Sequence, residues 1–125
     1  MIELALKVAR RSQSKFRLGA VLTVRKDILG EGWNQMGRTH PRQLSTYRST
    51  RRDWVPGLHA EVHACLGFDA VPRGASVWVA RIHRNGQPAL AAPCDLCITF
   101  LAHIGVERVW FTTGNEAKVG MVELA

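Results

Sequence analysis

The order in which helical and strand periodicities follow one another constrains the fold of this chain more than any other feature. A helix comes first, then two strands, a long irregular segment, and a succession of helices and strands. The helices are predicted at 1–13, 59–68 and 93–104, and the strands at 19–25, 28–33, 75–82, 87–92, 106–113 and 118–124. This order predicts a three-layer α/β domain, with a central mixed β-sheet covered by helices.

Turn and cap residues mark the limits of these elements. Lys26-Asp27 separates the first two strands as a tight turn, so the pair is predicted to form a hairpin. Asn85-Gly86 is a turn signal after the strongest strand. Pro93 is expected to begin the next helix, where its missing N–H costs nothing, and Gly105 to end it.

The length of the chain, 125 residues, is typical of one domain, so we expect a single domain over 1–125. No apolar run reaches the roughly 18–20 residues that span a bilayer, so no contact with a membrane is expected. The segment Met1–Lys7 holds an early acid and a short apolar stretch interrupted by a lysine, unlike a secretory signal. These features predict a soluble cytoplasmic protein.

The positive charge of the chain lies in its first half. Residues 1–62 hold 12 lysines and arginines against 5 acids, whereas residues 63–125 hold 5 of each. Such an excess favours anionic ligands such as a nucleotide or a nucleic acid, although a basic surface that only aids solubility is the alternative.

A basic loop insertion is predicted at about 35–57, with one short helical turn near 42–50. No acid occurs between Glu31 and Asp53. Arg38 and Arg42 are therefore candidates for binding a substrate phosphate, because guanidinium groups bind phosphate through paired hydrogen bonds. The alternative is a solvated loop.

Two short motifs carry the chemistry: His59-Ala60-Glu61 and Pro93-Cys94-Asp95-Leu96-Cys97, each at a predicted helix start. Three cysteines do not form a disulfide framework, and a helix N-terminus favours the thiolates that bind metal. His59, Cys94 and Cys97 would provide three zinc ligands and leave the fourth position to water, as in catalytic zinc sites. Glu61 could then take a proton from that water and deliver it to a substrate.

These residues also fit other kinds of site. Cys94 and Cys97 alone could form a redox pair or half a zinc ribbon, but the sequence holds no second pair of this spacing. His59 and His63 could imitate the histidines of a zinc protease, but Glu61 is misplaced for that motif. His63 is interpreted as a packing or second-layer histidine, and Cys65 as a buried thiol rather than a fourth ligand.

The combination of His-x-Glu with Pro-Cys-x-x-Cys is the signature of zinc deaminases that act on cytosine or adenine. The chain resembles the cytidine deaminase-like superfamily, which includes cytidine and deoxycytidylate deaminases and tRNA adenosine deaminases. Segments 14–22, 30–34 and 105–111 are similar to strands of that fold. The resemblance implies a Zn²⁺ cofactor and hydrolytic loss of the amine from C4 of cytosine or C6 of adenine.

The resemblance also implies roles for individual residues. Glu61 would protonate the ring nitrogen and then the leaving ammonia, and Asn34 would orient the sugar or the base. Backbone groups near Ala60 and Pro93 would hold the ring. Phe16 is a further candidate, because its ring is placed to stack on a base.

The sequence favours deamination of a cytosine nucleotide of the deoxycytidylate type, since the basic half accounts for a phosphate. One alternative is deamination of cytosine or adenine within single-stranded DNA or RNA, as in the tRNA adenosine deaminases. A second alternative is a non-catalytic module that binds zinc and nucleic acid. Members of the superfamily commonly form dimers or larger assemblies, so a homo-oligomer is expected.

Overall fold

The computed structural model describes residues 1–49 and 57–124. Within these ranges the helices are α1 (Ile2–Ala9), α2 (Pro41–Ser49), α3 (Ala60–Ala64) and α4 (Asp95–Ile104). The strands are β1 (Arg17–Val24), β2 (Asp27–Trp33), β3 (Ala75–Ile82), β4 (Pro88–Ala89), β5 (Arg108–Thr112) and β6 (Val119–Glu123). None of these helices has the length and apolar character needed to cross a membrane.

The six strands form one mixed sheet in the order β2-β1-β3-β5-β6, and β4 pairs with the end of β3. β3 and β5 run parallel, whereas the other neighbouring strands run antiparallel. Helices α3 and α4 pack on one face of the sheet, α1 packs on the other, and α2 contacts α4. The predicted three-layer α/β fold with a mixed sheet is confirmed.

The central strands are apolar on both faces because helices cover both sides of the sheet. On one face, Leu22 and Val77 belong to the core that α3 and α4 complete. On the opposite face, Val21 and Ala80 pack with Val8 of α1. The larger core lies under α3 and α4, and the candidate site is built at the starts of these two helices.

The segment after β2 differs most from its prediction. The sequence indicates a loop with one helical turn, but the structure has a nine-residue helix, α2. The helical turn predicted near 42–50 lies where α2 is found, but the helix is polar and lacks an apolar repeat, so its periodicity indicates less than a full helix. Its anchor is Gln43, which is fully buried and makes hydrogen bonds to distant backbone groups. Residues 50–56 of the predicted basic loop lie outside the described residues.

Several element limits also differ from their predictions. α1 ends at Ala9, and Ser12 beyond it donates its hydroxyl proton to the carbonyl of Asn34. The first hairpin turns at Arg25-Lys26, one residue early, with Arg25 at φ +57°. The segments predicted at 59–68 and 87–92 shorten to α3 and to the two-residue β4.

The last helix begins two residues later than its proline suggests. Cys94 has extended backbone angles and is the N-cap, so α4 starts at Asp95 rather than at Pro93. Gly105 ends the helix in the left-handed conformation, φ +98°, as predicted. The shift of the start places Cys94 at the cap and Cys97 in the first turn.

Glycines allow α3 to approach β2 at backbone distance. A Cβ atom on Gly30 would overlap the carbonyl oxygen of Ala64, and one on Gly32 would lie 2.6 Å from the carbonyl oxygen of Ala60. No real side chain fits at either position, because the obstacles are backbone atoms. Helix α3 therefore lies directly against the strand.

Gly32→Ala is expected to destabilise the protein by about 2 kcal/mol or more, because the added methyl group must push α3 away from β2. Gly67→Ala is the matched control, since nothing lies within 4 Å of a Cβ atom there. Urea unfolding of both variants measures the difference. Equal midpoints for the two variants would show that α3 is not held at this distance.

Candidate active site

The starts of α3 and α4 bring three metal-binding side chains together. His59 is the N-cap of α3, Cys94 is the N-cap of α4, and Cys97 lies in the first turn of α4. The Nδ1 atom of His59 is 3.3 Å from the Sγ atom of Cys97 and 3.6 Å from that of Cys94. Among the described residues, these three form the group of donor atoms, all within 4.8 Å of one another, that could hold a metal ion.

The spacing of these donors fits zinc. With zinc–sulfur and zinc–nitrogen bonds of about 2.3 and 2.05 Å, a tetrahedral site places nitrogen and sulfur about 3.6 Å apart. The two observed separations are close to this value. Two thiols and one imidazole are also the donor types that zinc prefers. The three side chains can therefore hold Zn²⁺ with one position left open.

The two thiols share a negative charge without metal. Hydrogen bonds from Cys97 and His59 lower the pKa of Cys94 to about 4, although partial burial opposes the shift. The pKa of Cys97 is raised well above its usual value, because its thiol donates to Cys94 and is buried. The lowered pKa favours the thiolate form of Cys94, which is the form that binds a metal ion.

Glu61 lies beside this cluster in the first turn of α3. Its side chain is buried, with 4% of the residue exposed. Burial raises the pKa of the Glu61 carboxyl, and the charge of His59 and a hydrogen bond from Cys97 partly offset the rise. A carboxyl group with a raised pKa holds a proton more readily, as a general acid–base group must.

A cleft of about 440 Å³ opens onto the cluster. Its lining comes from the segment before β1, the end of β2, the start of α3 and the segment before α4. Among the lining residues are the predicted site residues His59, Glu61, Cys94, Ala60, Asn34 and Phe16. The volume is in the range of small-molecule sites.

Asn34 lines the cleft, but the amide group of its side chain already makes hydrogen bonds to backbone groups. Its Oδ1 accepts the amide proton of Leu18 at 2.9 Å, and its Nδ2 donates to the carbonyl of Phe16 at 2.6 Å. These two bonds hold the segment that carries Phe16 against the end of β2. The structure thus gives Asn34 a positioning role, and a direct bond to the substrate stays a prediction.

The structure does not bring three other predicted residues into the lining of the cleft. Arg38 is exposed, and Pro93 stands between the lining residues Ala92 and Cys94. The guanidinium of Arg42 lies 5.1 Å from the centroid of the Phe100 ring and donates to the carbonyl of Leu66 at 3.4 Å. Their contact with substrate stays a prediction.

Sequence reasoning did not identify Gln43, which positions a metal ligand. Its Oε1 accepts the backbone amide proton of His59 at 2.8 Å, and its Nε2 donates to the carbonyl of Gly57 at 2.6 Å. Gln43 is fully buried, so α2 is tied to the start of α3 through this side chain. No motif marks such a residue, because its partners are 14 and 16 positions away.

His63 and Cys65 lie outside the cluster of donor atoms. The Nδ1 atom of His63 accepts the amide proton of Trp33 at 3.0 Å, and the two rings meet edge to face with centroids 4.6 Å apart. Burial raises the pKa of the Cys65 thiol to about 12, so it stays protonated. His63 therefore packs against Trp33 at the end of β2, and Cys65 belongs to the buried core.

His63 predicts a pH dependence of stability. Burial lowers the pKa of His63 below its usual 6.5, although a hydrogen bond that the protonated ring can donate from Nδ1 to the carbonyl of Trp33, 3.3 Å away, partly opposes the shift. On acidification the unfolded chain therefore binds a proton at this residue before the folded protein does. The stabilising effect is fully present above about pH 6.5 and is lost as the pH falls through the lower pKa of the folded state.

We expect His63→Gln to reduce the loss of unfolding free energy between pH 7.5 and 5.5. Urea unfolding of both proteins at the two pH values gives the difference. All other titrating groups are common to the two proteins, so the difference isolates His63. Identical losses would contradict the assignment.

The chain is similar to known deaminases in sequence and in fold. A family model described as the cytidine and deoxycytidylate deaminase zinc-binding region matches residues 1–113. The dCMP deaminase from the cyanophage S-TIM5, in complex with dCMP and dUMP, is 20% identical, with a TM-score of 0.60 over 88% of this chain and 76% of that one. The cytidine deaminase from Burkholderia pseudomallei is 18% identical, with a TM-score of 0.66 over 98% and 89%. No curated protein sequence matches the chain.

Proposed function

Since the chain belongs to the cytidine and deoxycytidylate deaminase family, a family of zinc-dependent hydrolases, we propose that it deaminates a cytosine nucleotide to the uracil nucleotide with release of ammonia. One observation carries the proposal. A zinc-compatible cluster of one histidine and two cysteines and a buried carboxyl group meet at one cleft. The family match covers the segments that carry all four residues.

We propose that His59, Cys94 and Cys97 hold the metal. Zinc in a site with an open position supplies a nucleophilic hydroxide at neutral pH. The protein contributes the geometry, since Gln43 holds the backbone of His59 and the start of α4 presents both thiols. The lining around the cluster admits a substrate ring from one side.

Glu61 is proposed as the proton carrier. Its burial favours the protonated form, so the carboxyl can donate its proton to the ring nitrogen as hydroxide adds to C4. The same group, once ionised, can take the proton of the hydroxyl added at C4 and pass it to the amine, which leaves as ammonia while the C4 carbonyl forms. His59 is the N-cap of α3 and Glu61 lies in its first turn. The backbone of α3 therefore sets the distance between the metal ligand and the proton carrier.

The class of substrate is proposed from charge and size. A cleft of about 440 Å³ fits a mononucleotide, and the excess of cations in residues 1–62 favours a phosphate-bearing ligand. The same net charge of +7 supports the second candidate, a base within single-stranded nucleic acid. A cytoplasmic location and a homo-oligomeric assembly stay predictions from the sequence.

Ammonia release by the zinc-loaded protein tests the proposal. Deoxycytidylate and a cytosine-containing single-stranded oligonucleotide are compared at equal cytosine concentration, with an adenine-containing RNA hairpin as a third substrate. Turnover of deoxycytidylate above the other two supports the proposal. Preference for either polymer supports the second candidate, and no release from any substrate would contradict a deaminase.

A further inference from the structure

Arg81, near the end of β3, is a cation that the sequence motifs do not single out. It lies directly opposite Leu18 in the antiparallel pairing of β1 with β3. Opposed residues point to the same face of a sheet, and Leu18 lines the cleft. The side chain of Arg81 therefore extends on the face that carries the candidate active site.

The guanidinium of Arg81 lies against an aromatic ring at the rim of the cleft. Its central carbon is 4.6 Å from the centroid of the Phe16 ring, and the Nζ atom of Lys15 is 5.7 Å from the same centroid. Lys15 and Phe16 both line the cleft, and Phe16 is 53% exposed. Two cations thus lie against one half-exposed ring.

The guanidinium group of Arg81 makes no hydrogen bond to any residue in the described part of the chain. Its Nε atom is buried and has no acceptor, and no carboxylate of residues 1–49 or 57–124 forms an ion pair with Arg81 or Lys15. Buried donors in folded proteins almost always have an acceptor. The guanidinium of Arg81 and the ammonium of Lys15 are thus two cations at the Phe16 ring without a carboxylate partner in the described part of the chain.

The backbone around Arg81 is rigid. Its amide donates to the Oγ1 atom of Thr112 at 3.2 Å, and that hydroxyl donates to the carbonyl of Ala89 at 2.5 Å. Thr112 is buried, so the end of β3 is fastened to both β4 and β5. A guanidinium on a fixed strand is suited to bind a phosphate in one orientation.

We propose that Arg81, together with Lys15, binds the phosphate monoester of the substrate at the Phe16 rim, so that the site selects a nucleotide over a nucleoside. The proposal rests on the proposed function and specifies it. It assigns the phosphate to Lys15, which lines the cleft, and to Arg81, which lies against the lining residue Phe16, in place of Arg38 and Arg42. Phe16 then contacts the nucleoside between the phosphate and the buried Glu61.

Binding of reaction products tests this assignment without turnover. Calorimetry compares dUMP with deoxyuridine on the zinc-loaded wild-type protein and on Arg81→Met and Lys15→Met. Arg84→Met and Lys26→Met are matched controls, because each removes one charge at an exposed position outside the lining. Ammonia release from dCMP and deoxycytidine is measured on the same proteins.

The wild-type protein should bind dUMP at least tenfold more tightly than deoxyuridine. Arg81→Met should weaken binding of dUMP about 10- to 100-fold, the range for a lost hydrogen bond to a charged group, and change binding of deoxyuridine less than about twofold. Lys15→Met should show a smaller effect of the same kind. The two control variants should bind both ligands as the wild type does.

Any of the following binding results would overturn the assignment: equal weakening of both ligands in Arg81→Met, an equal loss in Arg84→Met, or no preference for dUMP in the wild type. Turnover of deoxycytidine without any preference for dCMP would overturn it and leave the deaminase intact. Tight, Arg81-dependent binding of dUMP without ammonia release would support the phosphate site and contradict the deaminase. If the protein instead prefers an oligonucleotide and its binding weakens steeply with salt, the substrate is a base within single-stranded nucleic acid and not a mononucleotide.

Discussion

Glu61→Gln is expected to lower kcat for deamination about 10²- to 10⁴-fold, the usual contribution of a general acid–base group. Glutamine has nearly the same shape as glutamate but cannot take up and release a proton at neutral pH. The metal ligands are unchanged, so zinc content measured by atomic absorption should stay equal to that of the wild type. The chemical step is then lost without loss of the metal.

Stability separates this effect from misfolding. Burial of the Glu61 carboxylate is unfavourable, as its raised pKa shows, so a neutral glutamine should leave the unfolding free energy equal or higher. Glu116→Gln, at an exposed position, is the control and should keep full activity. Activity of Glu61→Gln within tenfold of the wild type would refute the role of Glu61 as proton carrier.

Cys97→Ala should remove both zinc binding and activity, the largest effect on the metal that a single substitution can have here. Cys97 is buried between His59, Cys94 and Glu61, so no surface group can replace its thiolate. Loss of a direct ligand should weaken zinc binding by more than the roughly 10- to 100-fold seen when only a supporting hydrogen bond is removed. Titration against a competing chelator measures this affinity.

Cys65→Ala provides the matched control. Cys65 is also fully buried, but it lies outside the donor cluster and its thiol stays protonated. It should bind zinc as the wild type does. Zinc at a thousand times its Kd adds about 4 kcal/mol to the unfolding free energy, so a chelator should lower the Tm of the wild type and of Cys65→Ala. The Tm of Cys97→Ala should not respond, and zinc loss in Cys65→Ala would contradict the ligand set.

Local chemistry is what the sequence predicts best. β3 is predicted at 75–82 and has those limits in the structure, because a β-branched and apolar run interrupted only by Ser76 and Arg81 favours a strand that is largely buried. Cys94 and Cys97 share one helical turn, and a histidine with a nearby glutamate completes a recognisable donor set. Such signals depend on residues close together in the chain.

The features that the sequence did not reveal depend on long-range contacts. Helix α2 has no apolar repeat, and the hydrogen bonds of Gln43 to Gly57 and His59 fix it in place. Arg81 becomes relevant only through the register that sets it opposite Leu18. Neither the partner of a polar side chain nor a strand register can be inferred from local composition.

The contact between α3 and β2 separates the catalytic geometry from the composition of the core. Where Gly30 and Gly32 meet Ala60 and Ala64, backbone lies on backbone, and no side-chain volume enters the spacing. Substitutions among apolar residues elsewhere in the core can therefore change the stability of the protein. The distance between β2 and α3, which carries Glu61, stays the same. Homologous proteins can therefore differ at most core positions and keep the same reaction. We expect them to conserve small residues at the positions of Gly30 and Gly32, together with the metal ligands.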